Sequence, residues 1–92
     1  MKGEMFFEQY ADGTVNLGYN DYQEGPFGGS VEISYTLHKA EFEKLLTAIG
    51  YLGDGDVEAA LQAYFGVHMD KVPFSAWCKD HQIHCESFTW ID

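Results

Sequence analysis

Between Ser30 and Leu37 the chain alternates residue by residue: Val31, Ile33, Tyr35 and Leu37 are apolar, while Ser30, Glu32, Ser34 and Thr36 are polar. Successive side chains of a strand point to opposite faces, so this segment predicts a half-buried β-strand. Upstream, residues 5–10 are rich in aromatics and run into Asp12-Gly13, a dipeptide suited to tight hairpins because Gly tolerates positive φ. A second strand over 14–19 then pairs back. Residues 20–29 hold Asp21, Glu24, Pro26 and several glycines, the composition of an irregular loop.

From about Lys39 the period becomes helical, with Phe42, Leu45, Leu46 and Ile49 on one stripe and Gly53 as a stop. Asp54-Gly55-Asp56 supplies an N-cap for a second helix, whose apolar face is Val57, Ala60, Leu61 and Tyr64 and which Gly66 ends. Val72-Pro73 forces an extended step, after which Pro73 opens a short helix through Trp77 to about His81. Residues 83–91 predict a last strand. The order β-β-β-α-α-α-β predicts an α+β fold, a small antiparallel sheet with helices packed on one face. At 92 residues it forms one domain, 1–92, with no internal repeat and no linker.

Hydrophobic residues make up 46% of the chain, enough to bury a core and to exclude disorder. Two cysteines, Cys78 and Cys85, are too few for a disulfide scaffold, and no charged-then-apolar leader stands at the start, so a cytoplasmic location is expected. Apolar runs are far shorter than the roughly 20 residues that span a bilayer. Charge is the most informative composition term: fifteen carboxylates face five lysines, there is no arginine, and the formal net charge is −10. An anionic membrane surface would repel such a chain, and direct nucleic-acid binding, which relies on Lys and Arg at phosphates, is disfavoured. The expected partner is a basic protein surface.

Three constellations bear on chemistry. Cys78, His81, His84 and Cys85 are four side chains of zinc-binding type close together in sequence. Helical spacing unites Cys78 with His81, but adjacent His84 and Cys85 diverge on a strand, and no Cys-x2-Cys knuckle is present. A small buried Cys is the commoner outcome, leaving a zinc module as an alternative and no cofactor as the expectation. Asp54, Asp56 and Glu58 alternate like the start of a calcium loop, yet Ala59 and Phe65 occupy the places that need Gly and Glu. Helix capping accounts for these acids without a metal. No nucleophile elbow or orienting motif accompanies either cysteine, so the chain is expected not to be an enzyme.

The acids are unevenly spread. No basic residue lies between Lys2 and Lys39, a span that holds Glu4, Glu8, Asp12, Asp21, Glu24 and Glu32. A second basic-free span contains Asp54, Asp56, Glu58 and Asp70. Tyr19, Tyr22 and Phe27 are interleaved with Asp21 and Glu24, combining aromatic anchors with carboxylates that raise the rate of encounter with a basic groove. The candidate partner-binding residues are therefore Asp12, Tyr19, Asp21, Tyr22, Glu24, Phe27, Asp54, Asp56 and Glu58.

In size, lack of arginine and acidic display at Asp12, Asp21, Glu24, Asp54, Asp56 and Glu58, the chain resembles the small acidic inhibitors of phages and mobile elements, anti-CRISPR proteins and antirestriction DNA mimics. The likeness is one of class, and no residue role transfers through a motif. It implies a non-enzymatic inhibitor that occupies the basic nucleic-acid-binding surface of a nuclease or CRISPR-Cas effector in the host cytoplasm, as a monomer or homodimer. An immunity protein that neutralises a basic toxin shares the same physics and is the alternative partner assignment.

Overall fold

The computed structural model of the chain describes residues 3–22 and 28–91. Its elements are β1 (Phe6–Gln9), β2 (Val15–Tyr22), β3 (Ser30–Leu37), α1 (Lys39–Ile49), α2 (Val57–Phe65), α3 (Phe74–Asp80) and β4 (Glu86–Ile91). The strands form one antiparallel sheet in the order β1-β2-β3-β4. The α+β class and the element order are those the sequence predicts.

Local chemistry explains the boundaries. In the β1–β2 turn Gly13 takes φ 90°, Tyr10 N–H donates to the Thr14 carbonyl at 2.8 Å, and Thr14 N–H donates to Asp12 Oδ1 at 2.9 Å. The Asp-Gly pair thus acts as the hairpin signal it resembles. Strand β2 is longer than expected. It runs past Tyr19 because Asn20, Asp21 and Tyr22 pair with Glu32, Val31 and Ser30, and this pairing overrides the turn preference of Asn and Asp.

Helix α1 ends at Gly50, before the expected stop at Gly53. Gly50 adopts φ 82° and its N–H donates to the Thr47 carbonyl at 3.1 Å, while Tyr51 N–H reaches Leu46 O at 2.9 Å. Asp56 caps α2, its carboxylate accepting from Glu58 N–H at 2.9 Å. The closing strand starts at Glu86, later than expected, because the chain leaving α3 first places Gln82 at φ 57° and buries Ile83, whose N–H donates to Cys78 O at 2.8 Å.

All three helices contribute to the core beneath one face of the sheet. From the strands come the fully buried Val15, Leu17 and Leu37, and from the helices Phe42, Leu45, Leu61, Phe65, Phe74 and Trp77. Ring contacts join the layers: Phe7 meets Phe42 at 5.8 Å between centroids and Tyr35 meets Phe74 at 4.7 Å. Burying each large apolar side chain contributes about 1.5–3 kcal/mol. Within α2 the buried aromatic is Phe65, whereas the adjacent Tyr64 keeps its ring edge against Trp77 and its hydroxyl accepts from Trp77 Nε1 at 3.2 Å. Among the described residues no helix is long and apolar enough to cross a membrane.

Candidate binding face of the sheet

Because the helices occupy one side, strand alternation determines the makeup of the other. Cross-strand register gives a row of Glu8, Asn16, Thr36 and Glu86, then a row of Phe6, Gly18, Ser34 and Phe88, then Asn20, Glu32 and Trp90. Rows follow one another at about 6.6–6.8 Å along the strands, and strands lie about 4.8 Å apart. Three carboxylates and, with Tyr22 opposite Ser30, four aromatic rings therefore share the open face among the described residues. Asp21 is the strand carboxylate on the helix side among the described residues.

The middle row dips at Gly18. A Cβ there would run into the Ile33 carbonyl oxygen and lie 2.8 Å from Ser34 Cα, so the close approach of β3 requires glycine. Over this row lies a hollow of about 400 Å3 lined by Phe6, Glu8, Asn16, Glu32, Ser34 and Trp90, with Asn20 completing the wall. Ser34 is 3% exposed although it faces away from the helices, covered by its neighbours on the sheet. Trp90 is 63% exposed and Phe88 51%.

The polar groups of the face differ in how far they are satisfied. Tyr10 Oη donates to Glu8 Oε2 at 3.2 Å, and that hydrogen bond to a carboxylate raises the Tyr10 phenol above its ordinary value. Glu32 forms no side-chain hydrogen bond or ion pair among the described residues. Asn16 Oδ1 is buried without a hydrogen-bond donor. Such an orphaned acceptor is uncommon in folded proteins.

The residues singled out by sequence are scattered. Asp12 is in the β1–β2 turn, where the Thr14 N–H holds its carboxyl below the usual range. Asp21 is near the opposite end of β2, about 20 Å along an extended strand. Tyr19 turns to the helix side and packs on the core, so it shares no face with Tyr22, which is half-exposed on the open side. Asp54 borders a second hollow of about 460 Å3 with Ile49, Tyr51, Leu52 and Tyr64. Asp56 is occupied as a helix cap and Glu58 stands in the first turn of α2. Glu24 and Phe27 lie outside the described residues. Sequence reasoning missed Phe6, Glu8, Asn16, Glu32 and Trp90, although the alternation through β3 already puts Glu32 on the polar side.

The Cys/His group does not converge. Cys78 is buried in α3, where burial, reinforced by neighbouring Cys85, pushes its thiol far up, and burial raises Cys85 too. His81 stacks on Trp77 at 4.2 Å and its Nδ1 donates to the Trp77 carbonyl at 2.8 Å, while His84 is exposed. Among the described residues no three His, Cys, Asp or Glu side chains cluster as a metal site. No protein-family model, no curated protein and no solved structure matches the chain.

Proposed function

We propose that this chain is a non-enzymatic acidic inhibitor. It seats the open face of its sheet on a basic nucleic-acid-binding surface of another cytoplasmic protein, a nuclease or CRISPR-Cas effector, and blocks access of nucleic acid. The observation that carries the reading is the makeup of that face: Glu8, Glu32 and Glu86 stand among exposed Phe88 and Trp90 in a chain of charge −10 without arginine. Carboxylates steer the encounter with a cationic surface, and aromatic rings supply buried contact area once docked. By strand and row spacings Glu8 and Glu86 stand about 14 Å apart and Glu32 lies about 13 Å from their row, so the three carboxylates meet separate cations of the partner surface.

The test is capture of partners from a host lysate at low ionic strength with the chain as bait, followed by a salt gradient and by competition with duplex DNA or with RNA. Captured protein should be a nucleic-acid binder, elute at moderate salt, and be displaced by nucleic acid. The triple variant Glu8→Gln, Glu32→Gln, Glu86→Gln should lose most of the yield. A partner indifferent to salt and nucleic acid, or retained in full by the triple variant, overturns the reading.

A further inference from the structure

We infer that the hollow over Gly18 is a seat for one arginine side chain of the partner protein. The inference rests on the proposed docking of the open face and assigns the chemistry at its centre. The hollow is lined by two carboxylates that no described cation neutralises: Glu32 has no partner among the described residues, and Glu8 receives the neutral Tyr10 hydroxyl on Oε2. No lysine lines it. A ligand that fits must bring several donors and positive charge.

Guanidinium meets both needs better than ammonium. Its fixed fork of N–H donors engages both oxygens of one carboxylate, that of Glu32 beside its cross-strand neighbour Trp90, whereas an ammonium is a compact and strongly hydrated point charge. Phe6 and Trp90 border the hollow, and a guanidinium plane stacks on aromatic rings while its edge donates to carboxylates. The seat cannot be filled by a second copy of this chain, because none of the 92 residues is arginine. The ligand therefore belongs to a different protein.

The experiment is an amide and indole NMR titration of the full chain with Nα-acetyl-arginine amide, compared with the neutral isostere Nα-acetyl-citrulline amide and with Nα-acetyl-lysine amide. The arginine compound should move the Gly18 and Ser34 amides and the Trp90 indole. It should bind about 10-fold more tightly than citrulline and several-fold more tightly than lysine. Glu32→Gln and Trp90→Ala should each weaken it at least about 3-fold with an unchanged melting temperature. Equal binding of citrulline and arginine, lysine matching arginine, or shifts spread over Asp12 and Asp54 with none at Gly18 overturns the assignment. The two readings fail separately: arginine can bind here while lysate capture finds no nucleic-acid-displaceable partner, and capture can succeed while the arginine compound leaves Gly18 and Trp90 unmoved.

Discussion

The two faces of the sheet are written by the same strands and have opposite characters. Toward the helices, Val15, Leu17 and Leu37 are fully buried, and away from them Glu8, Asn16, Glu32 and Trp90 surround a hollow. Alternation makes each face the complement of the other, so a one-residue slip in register would exchange them. The helix side therefore fixes the register through burial. Freed from that duty, the open side can hold residues whose value lies in recognition, and its unpaired acceptor at Asn16 fits that division.

The sharpest way to break this contrast is to substitute neighbouring rows. Leu17→Ala removes a fully buried side chain and should cost about 2–5 kcal/mol in urea unfolding. Glu32→Gln, on the open face, should stay within about 0.5 kcal/mol while weakening partner binding. Comparable stability losses from both would show that the open face is structural after all. Gly18 is the position where the faces cannot be separated. Gly18→Ala pushes a methyl into the β3 backbone and should cost about 1–3 kcal/mol, with loss of the hollow as a consequence of the strands moving apart.

A smaller effect separates capping from charge at Asp56. Asp56→Ala should destabilise by about 1 kcal/mol because Glu58 N–H loses its acceptor, whereas Asp56→Asn keeps the cap and should leave stability nearly unchanged in thermal unfolding. Neither should alter partner binding, since Asp56 is outside the open face.

Asp56 also illustrates what is legible from sequence. A cap depends on residues adjacent in the chain, as does the alternation that defined Ser30–Leu37 residue by residue. Where two neighbours compete, local pattern is ambiguous: Gly50 and Gly53 both take positive φ, and the carbonyls of Leu46 and Thr47 select the earlier one as the end of α1. Likewise Tyr64 and Phe65 both fall on the inner side of α2, and contact with Phe74 and Trp77 selects Phe65 for burial. The candidate site was less legible still, because its lining comes from four strands that meet through register alone. A lone glycine within β2 was the local clue, marking a close backbone approach.

The smallest effect concerns Asp12, an acid that belongs to neither face. Its carboxylate accepts from Thr14 N–H, so its folded pKa lies below the unfolded value. A lowered pKa means that the contact stabilises the hairpin above the unfolded pKa, near 3.9, and that this contribution fades as pH falls through the folded pKa. NMR titration of the Asp12 carboxyl should place its midpoint below that of an aspartate in an unstructured peptide. Asp12→Asn keeps an oxygen for the Thr14 amide and removes the charge, so it should preserve the turn and change partner affinity far less than Glu32→Gln. An equal loss of affinity from the two substitutions would mean that total charge drives association, with the open face contributing no more than any other carboxylate-bearing surface.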